Sequence, residues 1–173
     1  MIREVTLSDL DRCYEIETSA YAGDEAASRE KIEKRILTYP EGFIVLEIDG
    51  AVVGFVNGGA TDRVQMSDEA FKELVGHDPA GSQIVIMSVV VHPAHHRRGY
   101  ASRLLDAFID KMTRMNKQAI HLICQTELID FYANHGFCYR GASASDHGGL
   151  SWHEMTLELA SHQTVNQSVN QTE

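Results

Sequence analysis

The run "QIVIMSVVV", Gln83–Val91, constrains this chain more than any other stretch. Its residues are mostly apolar and largely β-branched, which costs χ1 freedom in a helix and suits a pleated sheet. It is far shorter than the ~20 residues that a bilayer-spanning helix needs, so it reads as a buried central strand. The next residues fix the element that follows. "HPAHHRRGYAS" carries a Pro turn, a basic cluster and Gly99, and beyond Ala101 the residues Leu104, Leu105, Phe108, Ile109 and Met112 recur at helical spacing. That periodicity puts them on one face of a helix, with Arg103, Asp106, Asp110 and Arg114 on the other. The centre of the chain is therefore a strand, a tight turn and an amphipathic helix.

Elements of both kinds flank this unit. "IREVTL" is a short alternating strand, and "SDLDRCYEIETSAY" a helix ending near Tyr21, with Ser8 and Asp11 at capping-box spacing. After the acidic connection "AGDEAAS", Ser28 caps a second helix in "SREKIEKRILTY", where Ile32 and Ile36 form a narrow apolar stripe. "GFIVLEIDGAVVGFVNGGATD" holds two strands joined at Asp49-Gly50, a pair that tolerates positive φ and favours a hairpin. An acidic helical insert, "MSDEAFKELVGHDPAG", leads back to Gln83. Downstream, "AIHLIC" is a strand and "TELIDFYANHGF" a short helix closed by Asn-His-Gly; "FCYRGASAS" and "WHEMTLEL" are the last two strands, flanking "DHGG". The order β α α β β (α) β α β α β β predicts one mixed α/β domain over residues 1–160, a single sheet with helices on its faces. Residues 161–173 lack core-forming periodicity and are expected to be disordered.

Charge and composition exclude several function classes. Lys and Arg total 15 against 25 Asp and Glu, a formal net charge of −10. A dedicated nucleic-acid binder would need a basic face, so no nucleic-acid partner is expected and a cationic small molecule fits the field better. The three cysteines, Cys13, Cys124 and Cys138, have no metal-type spacing, which leaves reduced thiols as the simple reading. "MIREVTLSDL" lacks the apolar core of a signal peptide, so a soluble, cytoplasmic protein with no membrane partner is expected.

A strand that turns into a helix N-terminus leaves backbone N–H groups unpaired, with the positive end of the helix dipole behind them. At this turn Gly99 and Ala101 allow close approach, and Arg97 and Arg98 add charge at the rim, so a pyrophosphate is the natural ligand. The Lys of a nucleoside-triphosphate loop is missing, as are the three spaced glycines of a dinucleotide fingerprint. His92, His95 and His96 have no accompanying carboxylate or Cys, so no metal is expected. From these residues alone, an anion site and a solvated helix start remain equally open.

The stretch "VVVHPAHHRRGYAS" resembles the cofactor motif of the GNAT superfamily of N-acetyltransferases, Arg/Gln-x-x-Gly-x-Gly/Ala after a strand. His96 stands at the Arg/Gln position, and Gly99 and Ala101 match. "LICQTELIDFYANHGF" is similar to a later segment of that family, Phe-Tyr-x-x-x-Gly-Phe, and the element order matches as well. "YEIETSAY", "LTYPEG", "SDEAFKELVGHDPAG" and "SWHEMTLEL" are most like the serotonin, or arylalkylamine, group.

The resemblance implies an acyl-CoA N-acyltransferase fold: a mixed six- to seven-stranded sheet splayed at strands 4 and 5, with helices on both faces. It implies an enzyme that transfers acetyl from acetyl-CoA to a primary amine of a small molecule, arylalkylamine or polyamine in type, acting as a monomer or homodimer without a metal. Carried over by position, Arg97, Arg98, Gly99, Tyr100, Ala101 and Ser102 would bind the pyrophosphate, and Val89, Val90 and Val91 would line the pantetheine arm. Tyr132 would be the general acid for the departing thiol. At the positions of a His pair linked to proton removal in the serotonin enzymes stand Val85 and Met87, neither of which carries a proton. A water relay ending on Glu154, His147 or Asp146 is the expected substitute. Acceptor choice is expected to rest on Tyr21, Asp24, Glu25, His147, Trp152 and Glu154. A non-catalytic acyl-CoA-binding module, or an enzyme acting on a peptide or protein amine, are the alternatives.

Overall fold

A computed structural model of the chain describes residues 1–21, 26–66, 69–144 and 151–160. In chain order the elements are β1 (Ile2–Glu4), α1 (Leu10–Ala20), α2 (Arg29–Thr38), β2 (Phe43–Ile48), β3 (Ala51–Thr61) and β4 (Gln83–Val91). They continue with α3 (Tyr100–Arg114), β5 (Ala119–Cys124), α4 (Ile129–Asn134), β6 (Cys138–Ala142) and β7 (His153–Glu158). The expected order is therefore present, and the acidic insert contributes a short 3₁₀ turn over Glu69–Glu73. The expected tail, 161–173, lies outside the described residues. No helix among the described residues is long and apolar enough to cross a membrane.

Local chemistry accounts for most boundaries. Ser28 Oγ accepts from the Lys31 N–H at 3.3 Å and starts α2, and Asp49 and Gly50, with φ of 51° and 82°, close the β2–β3 hairpin. The start of α1 differs from expectation. A 3₁₀ turn, Leu7–Asp9, precedes it, so the reciprocal capping pair is Thr6 with Asp9, not Ser8 with Asp11. The Thr6 N–H donates to Asp9 Oδ2 at 2.8 Å, and Arg3 clamps the same carboxylate through Nη1 and Nη2 at 2.8 and 2.9 Å. Asp11 instead pairs with Arg29 at 3.0 Å, joining α1 to α2.

The seven strands form one sheet in the order β1-β2-β3-β4-β5-β7-β6, antiparallel throughout except for β4 with β5. Its two faces carry separate cores. Leu104, Leu105, Phe108 and Met112 of α3, with Tyr132 and Phe137, pack on one face. Leu10, Cys13 and Ile16 of α1 and Ile32 and Ile36 of α2 pack on the other.

One irregularity shapes everything near the sheet centre. Asn57 pairs with Ser88 but Gly58 pairs with Ile86, so Met87 is an extra residue on β4. Such a bulge bends its strand and increases the local twist. It also switches sides: Ile84 and Ile86 face α3 and α4, whereas Val90, of the same parity, packs with α1 and α2. The parallel ladder to β5 joins only Gln83–Val85 to Ala119–His121 and then stops, although both strands continue. His121 secures the paired end, bonding Gln83 Oε1 at 2.7 Å and Thr156 Oγ1 at 3.0 Å. Beyond Val85 the two strands diverge.

Two stability predictions follow from these contacts. A Cβ at Gly58 would sit 2.8 Å from the Val85 carbonyl oxygen, so Gly58→Ala should cost about 1–3 kcal/mol in denaturant unfolding. Asp9→Asn should cost about 1–2 kcal/mol near neutral pH, because a cap and a charge-assisted pair are both weakened. Arg3 holds the Asp9 carboxyl below its ordinary value of 3.8. The stabilisation is thus complete above that value and is lost as pH falls through the depressed one, where wild type and variant should converge.

Candidate active site at the β4–β5 divergence

Where β4 and β5 part, the sheet opens onto a cavity of about 140 Å³. Val85, Ile86, Met87, Ser88 and Val89 form one wall, and Leu122, Ile123, Cys124 and Gln125 the other. From the α1/α2 face Glu17, Tyr21, Lys31 and Arg35 reach it, together with Phe71 and Lys72 of the insert; from the other side come Leu128, Tyr132 and Trp152.

Beyond the bulge the backbone groups of β4 alternate between β3 and the divergence. The His92 N–H donates to the Val53 carbonyl, so by alternation Ser88, Val90 and His92 direct their backbone groups toward β3, and Val89 and Val91 toward the divergence. The Tyr21 hydroxyl donates to the Val89 carbonyl at 3.1 Å, and His96 Nε2 reaches the Val91 carbonyl at 2.8 Å. The Val90 backbone belongs to the β3 ladder and its side chain is buried on the α1/α2 face.

The turn ahead of α3 has the form of an anion cradle. Arg97 and Gly99 adopt φ of 66° and 76°, which orients successive N–H groups outward. The first helical bond runs from the Arg103 N–H to the Gly99 carbonyl, leaving the amides of Tyr100, Ala101 and Ser102 without helical partners. Apart from its own chain neighbours, no atom of the described residues stands within 4 Å of where a Gly99 Cβ would be. His92 and His96 are occupied within the turn, His92 Nδ1 accepting from the Ala94 N–H at 3.1 Å. Among the described residues no cluster of metal-ligating side chains occurs.

Ser102, His135 and Asp106 form a chain of hydrogen bonds, with Ser102 Oγ 3.1 Å from His135 Nε2 and His135 Nδ1 2.7 Å from Asp106 Oδ1. This resembles a hydrolytic triad on paper. However, the Asp106 side chain is 68% exposed, and none of the three lines the cavity. The chain ties α4 to α3, so the anion cradle and Tyr132 are carried on one braced unit.

Tyr132 is 6% exposed and packs edge-on against Phe131 and Phe137. Burial, with a smaller contribution from nearby Cys124, raises its pKa above the ordinary phenol value, so it keeps its proton near neutral pH. Val85 and Met87, the two residues at the missing His pair, both line the cavity.

The carboxylate of the cavity comes from a residue the sequence reading passed over. Glu17 of α1 is 1% exposed, accepts the Ser88 hydroxyl on Oε1 at 3.0 Å, and has no hydrogen-bond partner on Oε2 among the described residues. Burial raises its pKa; the Arg35 charge, the Ser88 hydroxyl and the Ala27 amide oppose that rise without cancelling it. Asn57, the cross-strand partner of Ser88, is also buried with neither amide atom paired. The available signal was positional: Glu17 falls at i+7 from Leu10 and i+4 from Cys13, on the buried stripe of α1.

Of the residues expected to govern acceptor choice, Tyr21 and Trp152 line the cavity. Glu154 does not; it sits on β7 opposite Ile123, one strand further from the divergence. Asp24, Glu25, Asp146 and His147 lie outside the described residues.

Comparison with known proteins agrees with this architecture. The chain is 26% identical over 166 residues to serotonin N-acetyltransferase from Macaca mulatta, covering 92% of this chain and 79% of that protein. It is 25% identical over 129 residues to the probable hydrolase YhcX of Bacillus subtilis (strain 168), covering 69% of this chain. It spans only 25% of that longer protein. Among solved structures, the loading GNATL domain of CurA from Lyngbya majuscula superimposes with a TM-score of 0.81 at 16% identity, covering 91% of this chain and 96% of that domain. The model of the acetyltransferase (GNAT) family matches residues 9–137. With a match over most of its length, and a sheet opened between β4 and β5, the chain belongs to the acetyltransferase (GNAT) family, enzymes that take their acyl group from acetyl-CoA.

Proposed function

We propose that this enzyme transfers the acetyl group of acetyl-CoA to the primary amine of a small molecule, of arylalkylamine or polyamine type. The observation that carries this reading is that a carboxylate with an unpaired oxygen, on Glu17, and a buried phenol, on Tyr132, line one cavity from opposite faces of the opened sheet. The amides from Arg97 to Ser102 hold the pyrophosphate, with the Arg97 and Arg98 side chains at the solvent rim. The backbone of Val89 and Val91 borders the pantetheine arm.

The chemistry needs two protons to leave the nitrogen and one to reach the sulfur. An alkylammonium has a pKa of about 10.4, so it must lose a proton before it can attack. Glu17 Oε2 accepts that proton, and a carboxyl raised by burial is a better base near neutrality than an ordinary one. The free amine attacks the thioester carbonyl, whose oxygen gains charge beside a β4 N–H. The C–S bond of the tetrahedral intermediate then breaks. Tyr132 donates its hydrogen bond to the departing sulfur; because the phenol is less acidic than a thiol, full transfer accompanies recapture of a proton from the nitrogen or solvent. The second nitrogen proton thus reaches the sulfur by way of Tyr132, and the proton held on Glu17 is released to water, which restores the carboxylate.

Val85 and Met87 favour a second reading, a non-catalytic acyl-CoA-binding module, because both positions lack a base. Glu17 answers that objection from a different element. An amine-panel assay of CoA thiol release, with a short peptide amine included, separates the small-molecule enzyme, the peptide-directed enzyme and the module. Binding of acetyl-CoA with no release on any amine would select the module.

Two variants test the assigned roles. Glu17→Gln, which keeps the shape, should lower kcat by about 10²-fold or more and abolish the acidic limb of the pH–rate profile. In wild type that limb lies above the ordinary glutamate value of 4.5, since activity is lost as pH falls through the raised pKa. Tyr132→Phe should lower turnover by about 10²-fold while leaving acetyl-CoA affinity within about twofold; unchanged turnover would remove Tyr132 from the mechanism.

A further inference from the structure

Arg35 is buried to 4% exposure on α2, at the floor of the same cavity. Its Nε and Nη2 donate to the Lys72 carbonyl at 3.2 and 3.1 Å, which fixes the plane of the guanidinium. Its Nη1 is buried and has no hydrogen-bond partner among the described residues. No carboxylate among the described residues lies within ion-pair distance of Arg35, although Glu17 is close enough to act on its charge. An arginine held this way is costly unless an anion joins it, because a buried guanidinium loses its hydration and here recovers only two of its five donor bonds.

The charge around it is unusual for this chain. The protein carries −10, yet among the described residues the side chains lining the cavity include Lys31 and Arg35 beside the carboxylate of Glu17. Phe71, Tyr21 and Trp152 supply apolar area beside the charges.

We infer that the acceptor is an amino acid-like molecule, a primary amine that carries a carboxylate and an apolar body, its carboxylate held by Arg35 Nη1 and its amine presented to Glu17. This rests on the acetyl-transfer reading for the amine and narrows its small-molecule acceptor to one whose amine is accompanied by a carboxylate. The carboxylate completes the guanidinium that Lys72 has oriented, and a charge-assisted bond at this depth is stronger than at the surface. Two charged anchors then fix the amine relative to the divergence of β4 and β5. Acceptors without the carboxylate leave Nη1 buried and unpaired, which is the stronger source of discrimination.

The test compares acceptors that differ only in the carboxylate, phenylalanine with phenethylamine and tryptophan with tryptamine, by CoA thiol release from the full chain. Wild type should favour the carboxylated member of each pair in kcat/KM by about tenfold or more. Arg35→Met should bring that ratio close to one by raising KM for the carboxylated member, and Arg35→Lys should restore part of it. A wild-type preference for the uncarboxylated amines, or an equal loss on both members in the variants, would overturn the inference. A second arm needs no turnover. Trp152 is the single tryptophan and lines the cavity, so its fluorescence reports binding of the product-like N-acetylphenylalanine against N-acetylphenethylamine. Saturable binding of the carboxylate that Arg35→Met removes, with no thiol release on any amine, would uphold the anion site and refute acetyl transfer. Equal binding of the two compounds would refute the anion site itself.

Discussion

The extra residue at Met87 is the constraint on which the rest of the structure depends. A regular β4 would stay in register with both neighbours along its length, and its parallel ladder to β5 would seal the sheet. The bulge instead gives the strand a different twist on each side of Met87. Pairing with β5 ends at Val85, two residues before it. Gly58 accommodates the bend because a side chain there would run into the Val85 carbonyl. The same bulge turns Ser88 toward α1, where its hydroxyl meets Glu17. One inserted residue thus opens the cavity and selects the face from which its carboxylate comes.

Opening a sheet at its centre carries a cost that the polar residues of the cavity reveal. Among the described residues, Glu17 Oε2 and Arg35 Nη1 are buried without hydrogen-bond partners, although native proteins leave few such groups unpaired. The cores on the two faces absorb this cost. Leu104, Leu105, Phe108 and Met112 are fully buried on one side, as are Ile16 and Ile32 on the other. Rigidity comes from the same arrangement: the Ser102–His135–Asp106 chain braces α4 against α3, and Arg29 with Asp11 joins α2 to α1. Of the buried groups without partners, Glu17 Oε2 and Arg35 Nη1 belong to residues that line the cavity.

The fold was legible because its central elements carry strong periodic signals. The run Gln83–Val91 is a strand to the residue, and the helix after Gly99 has its predicted face in the core. Motif likeness led to the turn before α3 and to Tyr132, which lines the cavity, and alternation along β4 explains why Val89 lines it and Val90 does not. The bulge was not legible, since nothing in "QIVIMSVVV" marks Met87 as unpaired; its position is set by cross-strand register. Glu17 and Arg35 were missed for a related reason. Each interrupts an apolar stripe, Glu17 after Leu10 and Cys13 and Arg35 after Ile32, and a stripe is counted by its apolar members. A charged residue on a buried face is the signal that would have found both. The capping residues shifted from Ser8 and Asp11 to Thr6 and Asp9 because Arg3, on the neighbouring strand, engages Asp9.

The central claim is that nitrogen and sulfur exchange the acetyl group between Glu17 and Tyr132, inside the divergence of β4 and β5. A crystal structure of the chain with a bisubstrate conjugate, in which the CoA sulfur is joined through a two-carbon acyl linker to an amine nitrogen, tests it most directly. The account predicts the sulfur within about 3–3.5 Å of the Tyr132 hydroxyl and the nitrogen within hydrogen-bond reach of the Glu17 carboxylate, directly or through one water. A linker lying outside the divergence, or a nitrogen turned away from Glu17, would contradict it.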